Sequence, residues 1–310
     1  MANSMNVHEM IKDKRQKSRR HKLEKAIPFL LFLAASVSVV TTVGILLTLI
    51  VETVMFFSEV SFREFFLSTE MSPLNPSNPT FSILPLLSAT LLSTIIAMLV
   101  AIPIGLSTAV YLSEYATDRA RRVLKPMVEV LAGIPTIVYG FFAFTFVTPV
   151  LREIIPILDR TNILSPGIVM GIMIIPMVAS LSEDALSAVP NQMREGAMAF
   201  GATKFEATVK IVIPAAISGI IASFVLGISR AIGETMIVTI ASGSTKNLTF
   251  DITQSMQTMT AYIVEVTSGD AGAGTTAYYS LYAVAITLFI FTLSMNMLAK
   301  YISKRYREVY

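Results

Sequence analysis

The chain alternates between long apolar runs and short charged connections. Predominantly apolar segments occupy 26–57, 81–112, 126–150, 163–181, 214–242 and 277–299. Each can cross a hydrocarbon layer of roughly 30 Å at about 1.5 Å per helical residue. The pattern predicts an all-α integral membrane protein with six spanning helices. The first run follows a basic stretch, as in a signal peptide, but it is about twice the length of a signal's apolar region and no small-residue cleavage site follows, so a retained helix is expected. The predicted organisation is a basic tail over 1–25, a first span over 26–57, an outer loop over 58–80, a core over 81–300 with five spans, and a short terminal stretch over 301–310.

Charge orients this arrangement. The tail carries Lys12, Lys14, Arg15, Lys17, Arg19, Arg20, Lys22 and Lys25. On the same predicted side fall Arg119, Arg121, Arg122, Lys125, Arg194, Lys204, Lys210, Lys300, Lys304, Arg305 and Arg307. The opposite side holds only Arg63, Arg152, Arg160 and Lys246. The positive-inside rule then predicts both termini in the cytoplasm. Composition agrees, with 54% hydrophobic and 15% charged residues, against about 25% charged in soluble domains. A net charge of +3 is too small to imply a nucleic-acid partner, and the absence of cysteine excludes disulfides, thiolate nucleophiles and Cys-ligated metals. Both histidines, His8 and His21, lie in the tail, which leaves no imidazole for a site in the core.

Several spans carry interruptions. Pro103, Pro135 and Pro176 fall inside predicted helices, where each removes a backbone donor and favours a bend, although membrane helices also tolerate proline simply for packing. Gly167 and Gly171 form a GxxxG pair, and Gly219, Ser223, Gly227 and Ala231 make a small-residue stripe suited to close helix contact. The remaining basic residue, Arg230, sits in the fifth apolar run with Glu234 four positions on. At that spacing the two can neutralise each other on one helix face. An intramembrane arginine also offers a five-donor fork suited to a tetrahedral oxyanion, with the glutamate orienting it or competing for it.

Between the fourth and fifth runs, about 190–213, the chain reads as helix, turn, helix. Pro190 and Asn191 are start signals, Gly201 a stop, and Thr203 with Glu206 a capping box ahead of Pro214. Met193, Ala197, Met198 and Phe200 give the first short helix an apolar surface beside Arg194 and Glu195. A docking element for a soluble partner and a helix lying on the bilayer both fit this pattern.

Glu195, Gly196, Ala197, Gly201, Ile211 and Pro214 resemble the EAA-x3-G-x9-I-x-L-P signature of the permease subunits of binding-protein-dependent ABC importers, departing from it at Gly196 and Ile213. The resemblance extends to ILPLLSATLLSTIIAMLVAIPIGLSTAVYLSEYA (83–116), LAGIPTIVYGFFAFTFVTP (131–149), GIVMGIMIIPMVASLSEDALSAVP (167–190), SRAIGETMIVTIASG (229–243) and REVY (307–310). These are similar to the PstC-type permeases of phosphate importers, although Met71 stands where relatives often carry tryptophan. The resemblance implies a type I, MetI-like permease fold in a prokaryotic inner membrane. It also implies that Glu195, Gly196, Ala197, Gly201 and Pro214 belong to a helix that couples to an ATPase, and that Arg230 and Glu234 line the phosphate path. The implied partners are a second permease (PstA), two ATPase subunits (PstB) and a periplasmic phosphate-binding protein (PstS) received by 58–80 and by 243–276, a stretch whose Gly, Ser and Thr content suits a mobile loop.

No GxxxxGK[ST] motif occurs in the chain, so the expected role is a transport subunit with no ATPase site of its own; ATP-Mg would be held by the partner ATPase and no cofactor by this chain. A permease for sulfate or molybdate is the nearest alternative. A secondary transporter or channel fits less well, having no need of the cytoplasmic elbow. Glu129, Glu183 and Asp184 form no catalytic set; Glu129 reads as an i, i+4 partner of Lys125, and the Glu183–Asp184 pair as a feature of the cytoplasmic boundary.

Overall fold

A computed structural model describes residues 7–73, 75, 78–272 and 274–305; the REVY stretch and Arg307 lie outside them. The described residues are predominantly helical, and six helices are long and apolar enough to cross a membrane. The chain divides between Glu52 and Thr53 into two compact units. In the first, every described residue belongs to α1 (Val7–Glu59), so the helix of the first apolar run continues back through the basic tail.

The second unit contains the last turns of α1, then α2 (Phe62–Leu67), α3 (Leu84–Tyr115), α4 (Asp118–Ala132), α5 (Thr136–Ile154), α6 (Leu164–Ser187), α7 (Asn191–Ala199), α8 (Lys204–Ile232), α9 (Met236–Ala241), α10 (Met259–Glu265) and α11 (Thr276–Arg305). Its centre is the α3–α6 pair, which meets at glycines. A Cβ on Gly171 would lie 2.7 Å from the Ala97 carbonyl oxygen, and one on Gly105 would lie 2.8 Å from a Val178 methyl. Removing the side chain therefore lets the two backbones mesh. The stripe on α8 continues this packing: Gly219 abuts Ala185, the Ser223 and Ser182 hydroxyls hydrogen-bond at 2.8 Å, and Gly227 faces Met98 and Ile174. At the loop end, Phe56, Phe65 and Phe81 pack edge-to-face at 5.4 Å around a cluster that also buries Met71, the residue at the expected tryptophan position.

Pro103 and Pro176 stand inside unbroken α3 and α6. The third apolar run differs from its expected form. It divides at Gly133–Pro135 into the amphipathic α4 and the span α5, and Pro135 caps the start of α5 instead of bending a longer helix. The residue before a proline is driven out of the α region, so the break falls where Ile134 meets Pro135. The fifth run is also divided: α8 stops at Gly233 and the chain resumes as α9.

The stretch 243–276 is not a plain loop. Residues 256–262 turn back into the core and are buried, with Met259 N donating to Thr90 Oγ1 at 3.0 Å and the Tyr262 and Ser280 hydroxyls 2.5 Å apart. Lys246 pairs with Glu265 at 3.0 Å, and isolated bridges join Glu70 to Asn247 and Ser72 to Thr80. In its buried part the hydroxyls of Thr258 and Thr260 meet buried donors and acceptors, while those of Thr267, Ser268 and Thr275 stay at the exposed end.

Candidate functional site

The break after α8 decides what Arg230 and Glu234 can do. Gly233 ends the helix between them, and the i, i+4 pairing that their spacing allows is not formed. Glu234 is 7% exposed and its carboxylate turns to the next helix, where Oε1 accepts from Met236 N at 3.1 Å and from Ile237 N at 3.5 Å. An acidic side chain there satisfies orphan amides at a helix start. Its own carbonyl accepts from Thr260 Oγ1 at 2.7 Å. Arg230, in the last turn of α8, is exposed, and its guanidinium has no hydrogen bond or ion pair among the described residues. A cation is favoured at this end of the helix dipole, and all five of its donors are unclaimed among the described residues.

The elbow forms as its residues predict. Pro190 precedes α7, and Gly201 adopts φ +91°, a left-handed conformation that costs an L-residue about 1–2 kcal/mol. Thr203 and Glu206 form the reciprocal capping box, with Oγ1 accepting from Glu206 N at 3.2 Å and Oε2 accepting from Thr203 N at 3.0 Å. The expected apolar surface divides between two directions. Ala197 is buried and anchors α7, whereas Met198, Phe200 (97% exposed) and Phe205 project outward with Glu195. Gly196 has open space where a Cβ would stand, so alanine, usual there in the signature, would fit.

Arg194 turns away from this surface. Its Nε and Nη2 donate to the Glu114 carboxylate at 3.2 and 2.9 Å, Nη2 also donates to Leu186 O at 2.7 Å, and Nη1 donates to Val189 O and to Asn191 Oδ1. A cleft of about 370 Å³ beside this pair is lined by Glu114, Arg121, Arg194, Glu195 and Lys204 among others. Nearby, Glu183 on α6 is fully buried and held by Arg121 and by Lys125 Nζ at 2.6 Å, both from α4. The hydrogen bond to Glu183, reinforced by its negative charge, holds the Lys125 ammonium above its ordinary pKa. The expected Lys125–Glu129 pair is thus replaced: burial of Glu183 makes it the more demanding acceptor, while Glu129 lies exposed. Asp184 stays at the surface, 3.6 Å from Lys125.

Residues 101–308 match the family described as "Binding-protein-dependent transport system inner membrane component". A probable ABC transporter permease protein, YqgH of Bacillus subtilis, is 31% identical over 278 residues, covering 89% of this chain and 87% of that protein. The phosphate transport system permease protein PstC of Xylella fastidiosa is 33% identical over 256 residues, covering 76% and 77%. Among solved structures, a bacterial alginate ABC transporter in complex with a periplasmic protein aligns with a TM-score of 0.62 over 91% of this chain and 96% of that one at 16% identity. The inward-facing MetNI methionine ABC transporter aligns at 0.54 over 73% and 94% at 15% identity. Those structures share the fold, while the family match and the relatives cover most of the sequence: the chain belongs to the family of binding-protein-dependent transport system inner membrane components.

Proposed function

We propose that this chain is one of the two transmembrane subunits of an ATP-driven phosphate importer, with Arg230 as the residue that receives the anion on its way through. The family places it in the inner membrane as a multi-pass permease that works with another permease, ATPases and a periplasmic binding protein; we assign these partners as PstA, two PstB subunits holding ATP-Mg, and PstS. The observation that carries the reading is the unclaimed guanidinium of Arg230 at the end of α8, next to a glutamate whose carboxylate is already committed to backbone amides. A planar donor fork without an internal counter-ion matches phosphate geometry, and relatives named as phosphate transport permeases support the substrate.

Transport then follows alternating access. ATP closes the ATPase pair, the elbow built on Glu195, Gly196, Ala197 and Gly201 moves with it and carries α8 beyond Pro214, and phosphate released by the binding protein reaches Arg230. Hydrolysis returns the path inward. The test is uptake of radiolabelled phosphate by the complex reconstituted in liposomes, with sulfate and molybdate as competitors. Arg230→Gln lowers uptake at least tenfold while the complex still assembles, and excess sulfate does not compete. Full-rate uptake by Arg230→Gln overturns the assignment of Arg230; transport of sulfate in place of phosphate overturns the substrate.

A further inference from the structure

Arg194 gathers three elements at one guanidinium: Glu114 in the terminal turn of α3, Leu186 at the end of α6 and Val189 just beyond it, and Asn191 at the start of α7. α6 leads into the elbow within a few residues and α8 begins inside it, so both must follow it. α3 has no such connection, because Glu114 lies 80 residues from Arg194. The elbow is tied to α6 by the chain itself, whereas its tie to the end of α3 runs through side chains.

We infer that Arg194 is a positioning residue of the transport cycle, and that the Arg194–Glu114 pair is the strut that fixes the elbow rigidly to the end of α3, so that elbow movement drives the meshed α3–α6 pair from both of its helices. The pair suits that work. Its two side chains are only 15% and 6% exposed, and both carboxylate oxygens are engaged, so it is shielded from the screening that weakens surface pairs. Ser113 Oγ fixes Glu114 further, donating to Oε1 at 3.1 Å. A second link runs in parallel, with the Lys204 ammonium of α8 lying 5.1 Å from the ring centroid of Tyr115. The strut therefore joins the end of α3 to both helices of the elbow.

This inference rests on the elbow being the ATPase-coupling element, and the experiment separates the two. In the full reconstituted complex, phosphate uptake and ATP hydrolysis are measured together. Arg194→Ala is expected to lower phosphate moved per ATP about tenfold, with the ATPase still bound and hydrolysing. Arg194→Lys should be intermediate, because an ammonium cannot span both oxygens. The chain has no native cysteine, so Glu114→Cys with Arg194→Cys gives a single crosslinkable pair: uncoupled when reduced, recoupled by a bifunctional thiol reagent of the ion pair's length. An unchanged phosphate-to-ATP ratio in Arg194→Ala, or a formed crosslink that restores nothing, overturns the strut. A cysteine at Phe200 that fails to crosslink to the ATPase overturns the elbow reading instead.

Discussion

The Thr260 hydroxyl donates to the Glu234 carbonyl at 2.7 Å, tying the inward-folded outer segment to the break between α8 and α9. Both groups are buried, so losing the donor strands a carbonyl at a cost of about 1–3 kcal/mol. Thr260→Val should lower the thermal unfolding temperature of the purified complex and reduce phosphate uptake, whereas Thr260→Ser should retain both. Equal behaviour of the two variants would show that the bond has no structural weight.

Glu234 can act through its charge or through its hydrogen bonds, and Glu234→Gln distinguishes these. The amide keeps an oxygen at the Oε1 position for Met236 N and Ile237 N while removing the charge. Because the carboxylate makes no pair with Arg230, Glu234→Gln should transport within about twofold of the parent. Glu234→Ala should lose about 0.5–2 kcal/mol as a lost cap, visible as lower thermal stability. A collapse of uptake in Glu234→Gln would point to the charge.

The two glycines of the elbow respond in opposite senses. Gly196 lies inside α7 with free space around it, so Gly196→Ala should leave transport intact and stabilise the helix by about 1 kcal/mol. Gly201 also has free space, but its φ of +91° penalises any L side chain. Gly201→Ala is therefore expected to reduce ATPase-coupled uptake severalfold, and Gly201→Asn, which tolerates the left-handed region better, to reduce it less. Thermal unfolding and uptake measured on the three variants check the ordering.

At the cytoplasmic boundary the burial of Glu183 makes its two partners unequal to it. Removing both by Arg121→Ala with Lys125→Ala leaves an unpaired buried carboxylate, a loss of about 3–5 kcal/mol. Glu183→Gln leaves two cations that are already partly exposed and can turn to water. The double variant should accumulate in the membrane at a fraction of the level of Glu183→Gln, as read by quantitative immunoblotting.

The spans, the elbow and its capping box were legible because each is local. Thr203 and Glu206 stand three residues apart, and Gly167 with Gly171 one turn apart, so their relationship follows from helix geometry. The start of the third span was not, because the apolar side of amphipathic α4 runs straight into α5 and hydropathy alone hides the break at Gly133–Pro135. An unbroken helix through Gly233 would likewise have let Arg230 meet Glu234, whose carboxylate had closer amides to satisfy. Glu114 with Arg194 and Glu183 with Arg121 are pairs between remote segments, and no spacing announces them. Serine and threonine in 243–276 read alike whether they loosen a loop or fill a buried hydrogen-bond network.

The glycine seam between α3 and α6 has a mechanical consequence. With Gly171 seated against the Ala97 carbonyl and Gly105 against the Val178 side chain, a roll that brought a Cβ-bearing residue into either position would collide with the facing helix. The two must travel as one slab. A doorway wide enough for an ion then has to open along some other boundary of the protein, with the slab swinging as one leaf when the elbow moves it.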